Sequence, residues 1–171
     1  MKNIALTGMM GCGKSTVAKE LKRVLPELDY IELDFEIEKR EGKTINEIFS
    51  NKGEEYFRIV ESQLLKEITN KDNQIISLGG GAFLTEQNRK TISTNSISIY
   101  LETSVDTIYE RIKDDSSRPL LKTENVKDKI AELINNRELS YKLANFTVST
   151  DNKTPEIIAK EILEIYKENG H

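Results

Sequence analysis

Residues 8 to 15 read Gly8-Met9-Met10-Gly11-Cys12-Gly13-Lys14-Ser15 and match the pattern G-x-x-x-x-G-K-[ST]. They follow a short apolar run, Ile4-Ala5-Leu6, and open an amphipathic stretch carrying Val17, Ala18, Leu21, Val24 and Leu25. Strand, loop and helix in that order constrain the chain strongly, because the loop works only where a buried strand delivers it to a helix N-terminus. There the glycine-rich backbone closes its N–H groups around phosphate oxygens and the helix dipole adds positive potential. Lys14 reaches the β/γ-phosphates and the Ser15 hydroxyl holds Mg²⁺. Gly11, Cys12, Gly13, Lys14, Ser15 and Thr16 are therefore expected to bind a nucleoside triphosphate with one magnesium ion.

Four further runs of strand length follow, Tyr30 to Leu33, Ile75 to Leu78, Ile97 to Leu101 and Phe146 to Ser149. Helical patterns lie between strands, so successive strands cannot be joined as simple hairpins. A parallel sheet covered on both faces satisfies the pattern, and ligands in such sheets bind beyond the carboxyl ends of the strands. Gly8, Asp34 and Gly79-Gly80-Gly81 fall at three of those ends. They are expected to converge on one cleft.

The chain has 171 residues, enough for one domain with a sizeable core. Charged residues make up 32% and the net charge is -4, so both signs are interspersed and no broad basic field exists for a nucleic-acid backbone. The single cysteine excludes an internal disulfide, and the only histidine is His171, which argues against histidine catalysis. With no leader pattern ahead of the first strand and no membrane-spanning run, a soluble cytoplasmic protein is expected. Cys12 is either a redox-sensitive thiol near a helix N-terminus or a small tolerated loop residue.

Between the second and third strands the chain carries more helix than a minimal crossover needs. Thr44 with Glu47 forms a T-x-x-E capping box, Gly53 breaks the chain, and a long helix is expected from about Glu54 to Ile68. Phe57, Val60, Leu64 and Ile68 make its buried stripe, and Arg58 and Glu61 are three apart and within reach of each other. On pattern alone Arg58 is either one half of a solvated surface pair or a cation held beside the buried face. Val105, Ile108, Tyr109 and Ile112 mark a helix running toward Arg111, and the polar stretch after it contains Arg118-Pro119. That stretch is either an ordinary exposed loop or a lid closing over phosphates. A helix from about Val126 to Leu143 bears Arg137, and a closing helix carries Ile158, Ile162 and Ile165.

The phosphate loop alone indicates only a nucleotide-binding protein. An ordered set of residues narrows it: Asp34 with Ile37-Glu38 and Gly42; Ile48-Phe49; Gly53-Glu54 with Phe57-Arg58 and Glu61; Leu78-Gly79-Gly80-Gly81; Arg118-Pro119-Leu120-Leu121; and Arg137 with Tyr141. Together, over nearly the whole chain, they resemble the shikimate kinase family. The resemblance implies a nucleoside monophosphate kinase-like P-loop kinase fold, an α/β domain with a five-stranded parallel sheet in the order 2-3-1-4-5. It implies one domain over 1–171, with a substrate-binding insert at about 34–61 and a lid at about 113–124. It also implies a monomer that transfers the γ-phosphoryl group of ATP to the 3-hydroxyl of shikimate, a step of aromatic amino-acid biosynthesis, with Mg²⁺ and without a nucleic-acid or membrane partner.

Carried over residue by residue, Arg58 and Arg137 look like the pair that binds the shikimate carboxylate, suited to it by bidentate guanidinium geometry. Gly79, Gly80 and Gly81 resemble the substrate-side backbone, with room where side chains would obstruct a ligand. Asp34 resembles the residue that orients or deprotonates the attacking hydroxyl, while Phe49 and Phe57 supply apolar walls. Arg118 resembles the lid arginine on the transferring phosphate, and Arg111 the residue packed against adenine. One departure stands out: the family's second strand usually ends Asp-x-Asp, whereas here the pair is Glu32 and Asp34. Glu32 is carried over only as a water-mediated helper of Mg²⁺, a contact more tolerant of an added methylene than an inner ligand. The stretch Asp151 to Pro155 also departs, leaving the adenine contacts open. Another small-molecule or nucleoside monophosphate kinase, gluconate kinase included, would share the loop and lid but not the Arg58, triple-glycine and Arg137 set. A guanine-nucleotide switch would need N-K-x-D, but Asn152-Lys153 continues as Thr154-Pro155.

Overall fold

Five short strands, rich in Ile, Leu and Val, pair in the order β2-β3-β1-β4-β5, and every pairing is parallel. They are β1 Asn3–Thr7, β2 Asp29–Glu32, β3 Gln74–Ser77, β4 Ser96–Glu102 and β5 Phe146–Ser149. The structure, a computed structural model, describes residues 2–114 and 125–170. Seven helices are described: α1 Lys14–Val24, α2 Leu33–Glu41, α3 Ile45–Thr69, α4 Glu86–Asn95, α5 Val105–Ile112, α6 Val126–Tyr141 and α7 Pro155–Asn169. The expected parallel sheet and its strand order are both observed.

Alternation along the strands sends apolar side chains to both faces, as a sheet covered twice requires. Ile4, Leu6, Ile75, Ile99 and Leu101 face Val17, Ala18 and Leu21 of α1 and Ile158 and Ile162 of α7. Ala5, Ile76 and Tyr100 face the other way, onto Phe57, Val60 and Leu64 of α3, Ile92 of α4 and Ile108 of α5. Each fully buried Leu or Ile contributes about 1.5–3 kcal/mol to this three-layer core.

Two of the boundaries that differ from the sequence reading lie at the carboxyl ends of β2 and β3. Leu33 is not the end of β2 but the first residue of α2, and it is buried in either role, so its apolar character does not distinguish them. Asp34 consequently sits in the first turn of a helix, where the dipole favours a carboxylate. Leu78 likewise lies just past β3, its N–H donating to the Leu6 carbonyl at 3.0 Å. Thr44 and Glu47 make the capping box expected of them: Glu47 N–H donates to Thr44 Oγ1 at 3.3 Å and Thr44 N–H to Glu47 Oε2 at 2.8 Å. Gly53 interrupts α3 with φ 81° and ψ 171°, a backbone that side-chain-bearing residues rarely adopt.

Candidate active site

The carboxyl ends of β1, β2 and β3 open into one cavity of about 390 Å³, lined by Gly11, Gly13, Lys14, Ser15 and Thr16 on one side and by Glu32, Asp34, Gly79 and Gly80 on the other. Arg111 of α5 closes its rim. The predicted convergence of three strand ends is therefore present.

In the phosphate loop, Lys14 Nζ donates to the carbonyls of Gly8 at 2.8 Å and Met9 at 3.1 Å. It also lies 3.7 Å from Cys12 Sγ, and the Cys12 side chain is buried against the core rather than presented to solvent. Arg111 donates to the Cys12 carbonyl at 3.0 Å and the Gly11 carbonyl at 3.3 Å, tying α5 to the loop. A second cavity of about 230 Å³ adjoins the first and is bounded by Thr16, Arg111, Lys153 and Pro155.

The triple glycine organises the opposite wall. A Cβ on Gly79 would lie 2.6 Å from Asp34 Oδ1, and a Cβ on Gly81 would lie 2.6 Å from Cζ of Arg58. A side chain at either position would have to displace the carboxylate or the guanidinium, which occupy that space. The sequence reading expected Gly80 and Gly81 to offer backbone N–H groups where side chains would obstruct a ligand; in the structure the hydrogens at Gly79 and Gly81 also leave room for Asp34 and Arg58. Arg137 approaches between the two, with Nη1 3.5 Å from where a Gly80 Cβ would be, and Tyr141 donates to the Gly80 carbonyl at 2.6 Å. The ring of Tyr141 stacks on Tyr100 with centroids 5.3 Å apart, so the glycine turn is anchored to β4.

Arg58 donates to Glu61 Oε1 at 2.8 Å and lies 3.4 Å from Glu54. Its partner Glu61 is only 1% exposed, and Oε2 of Glu61 has no hydrogen-bond partner among the described residues. Arg58 is thus held from a buried anchor and is not half of a solvated pair. Its guanidinium lies 5.1 Å from the Phe57 ring centroid, and Phe49 packs on Phe57 at 4.7 Å. Burial raises the Glu61 pKa, with Arg58 opposing. It also raises that of Asp34, where the Glu32 charge adds to the effect and Lys14 opposes it. Glu61, Tyr141, Tyr30 and Ser77 are absent from the site residues chosen on sequence. The Arg58–Glu61 spacing signalled Glu61, and the ordered set behind the family resemblance contains both Glu61 and Tyr141, whereas no pattern pointed to Tyr30 or Ser77. Arg118 lies outside the described residues, as do residues 115–124 of the expected lid.

Comparison with known proteins decides among the kinases that share such a loop. The family model described as shikimate kinase matches residues 10–167. The chain belongs to the shikimate kinase family. It is accordingly an ATP-dependent phosphotransferase with an alcohol acceptor. The shikimate kinase of Thermodesulfovibrio yellowstonii is 40% identical over 98% of this chain and 96% of its own length. That of Persephonella marina is 42% identical over 95% of this chain and 98% of its own. A solved shikimate kinase from Acinetobacter baumannii, in complex with shikimate, superposes with a TM-score of 0.91 at 35% identity, covering 99% of this chain and 94% of that one. Shikimate kinases thus share both this sequence and the fold that carries the cavity.

Proposed function

We propose that the cavity binds ATP and shikimate together and transfers the γ-phosphoryl group to the shikimate 3-hydroxyl, giving shikimate 3-phosphate and ADP. The observation that carries this reading is the row of Asp34, Arg137 and Arg58 set against Gly79, Gly80 and Gly81, of which Asp34, Gly79 and Gly80 line the cavity opposite the phosphate loop. A small anionic ring needs fixed cations for its carboxylate and acceptors for its hydroxyls, and this wall holds both. Arg58 and Arg137 bind the carboxylate, Phe49 and Phe57 supply the apolar side, and Asp34 faces the attacking hydroxyl. That a relative of the same fold was solved in complex with shikimate supports the choice of acceptor.

On the nucleotide side, Gly11 to Thr16 cradle the phosphates, and Lys14 exchanges the Gly8 and Met9 carbonyls for phosphate oxygens. Arg111 and Pro155 flank the base. Arg118, from a lid at about 113–124, completes the charge around the transferring group. Phosphoryl transfer asks little covalent chemistry of a protein, so these groups act by alignment and by neutralising charge. Asp34 holds the hydroxyl in line and accepts its proton, and its raised pKa suits that task.

Among the described residues, no three His, Cys, Asp or Glu side chains gather into a metal cage. The donors near the loop are the Ser15 hydroxyl and the carboxylates of Glu32 and Asp34. That set fits Mg²⁺, which keeps several waters and takes phosphate oxygens instead of a full protein shell. Ser15 would hold it directly and Glu32 through water; when bound, it neutralises charge on the phosphates. No helix among the described residues is long and apolar enough to cross a membrane, and we place the protein in the cytoplasm as a monomer with α2 and the first half of α3 as its substrate-binding insert. A coupled ADP-release assay with shikimate, gluconate and a panel of nucleoside monophosphates tests the reading. Strong stimulation by shikimate alone is expected, and stimulation by gluconate or a nucleotide instead would overturn it.

A further inference from the structure

Glu32, the last residue of β2, is held from two sides. Both carboxylate oxygens are held: the Tyr30 hydroxyl donates to Oε2, and the Ser77 hydroxyl donates to Oε1 at 2.9 Å. Tyr30 and Glu32 are two apart on β2 and so point to the same side of the sheet. Ser77 is the residue of β3 paired in register with Glu32, and it is completely buried. The clamp therefore consists of one strand neighbour and one cross-strand neighbour, both fixed by the sheet. Glu32 lines the cavity beside Ser15 and Lys14.

We propose that Tyr30 is a positioning residue which, with Ser77, locks the Glu32 carboxylate in a single rotamer facing the water shell of the magnesium ion proposed at Ser15. A glutamate has one more rotatable bond than an aspartate, and two donors fixed in the sheet remove that freedom. The carboxylate then offers its remaining lone pairs to metal-bound water without having to be ordered first. The inference rests on the magnesium site proposed above and names what makes a glutamate workable in it. Residues behind a metal's direct ligands commonly set affinity roughly 10- to 100-fold.

The test is equilibrium binding of ADP by calorimetry, titrated with and without Mg²⁺, on the whole chain and its variants. Tyr30→Phe removes only the hydroxyl. It is expected to weaken the Mg²⁺-dependent gain in ADP affinity roughly 10-fold, leaving ADP affinity in EDTA and the shikimate KM unchanged. Glu32→Gln should show the same loss, and Tyr30→Phe added to it should cost nothing more. Ser77→Ala gives an independent arm should Tyr30→Phe fold poorly, as judged by circular dichroism and Tm. If Glu32→Gln leaves the Mg²⁺-dependent gain intact, Glu32 does not face the metal and the reading beneath the inference fails. If Glu32→Gln abolishes the gain while folded Tyr30→Phe and Ser77→Ala retain it, the metal site stands and the clamp is overturned. Equal losses with and without Mg²⁺ would make Tyr30 a support of the loop and would equally overturn the inference.

Discussion

Replacing Gly81 with alanine tests the claim that the glycine makes room for Arg58. The added Cβ would lie 2.6 Å from Arg58 Cζ. Non-bonded carbons rest at about 3.5–4.0 Å, so the guanidinium must withdraw by about 1 Å. The backbone offers no comparable objection, since Gly81 is not among the glycines with positive φ. A charged tip on a long side chain yields more readily than a strand, so the fold should tolerate the change. The Gly to Ala effect on the unfolded chain even favours it by about 0.4–1 kcal/mol. The substrate should not tolerate it. Misplacing a positioning group by about 1 Å costs roughly 10²-fold, or about 2.7 kcal/mol, within the 2–5 kcal/mol expected for losing one partner of a buried charged pair. Steady-state ADP release should therefore show kcat/KM for shikimate reduced roughly 10²-fold, with the ATP KM and the Tm nearly unchanged. The same methyl in an Arg58→Ala background meets no guanidinium and should add no further loss. A folded Gly81→Ala enzyme with wild-type shikimate kinetics would refute the argument. Additive losses in the double variant would show instead that the methyl obstructs the ligand itself.

Asp34→Asn keeps the shape beside Gly79 and removes the proton acceptor, so turnover should fall roughly 10²- to 10⁴-fold in the same assay; near-normal turnover would remove Asp34 from the chemistry. Glu61→Gln carries a pH signature. Burial holds the Glu61 pKa above its ordinary 4.5, with Arg58 opposing, so the folded state binds this proton more readily than the unfolded chain. Wild-type stability contributed by that proton is complete below the ordinary value and is lost as pH rises through the raised one. The Tm of Glu61→Gln relative to wild type should therefore climb across that window and level off above it, and a flat difference would contradict the assignment. Thr44→Ala removes one side of the capping box and should cost about 1 kcal/mol, a Tm drop of roughly 2–4 °C for a chain of this size. An unchanged melting curve would mean that the α3 N-terminus frays at no cost.

The phosphate loop was legible because its chemistry is local: glycines, Lys14 and Ser15 act through one turn of backbone, so their order in sequence already states their geometry. The same holds for the capping box and for the Arg58–Glu61 spacing. Helix α4 was not legible, since only Asn88 and Ile92 are buried along it and no apolar stripe repeats at helical spacing. Tertiary packing also decides what stands against Gly79 and Gly81. Asp34 and Arg58 meet Gly79 and Gly81 only once β2, β3 and α3 are docked, and no local pattern states which side chain fills a space left by hydrogen. The clamp on Glu32 is divided in the same way: Tyr30 is two residues off, whereas Ser77 is reached only through strand register. Arg58 shows how the two kinds of information combine. Spacing left it either a solvated pair or an anchored cation, and burial separates these, because Glu61 is 1% exposed at the side-chain level while Arg58 is 29% exposed. A pair so lopsided fixes one charge in the core and leaves the other partly exposed beside Gly81. That is the geometry an anionic ligand needs, since the guanidinium is ordered before the ligand arrives and keeps further N–H donors to offer it.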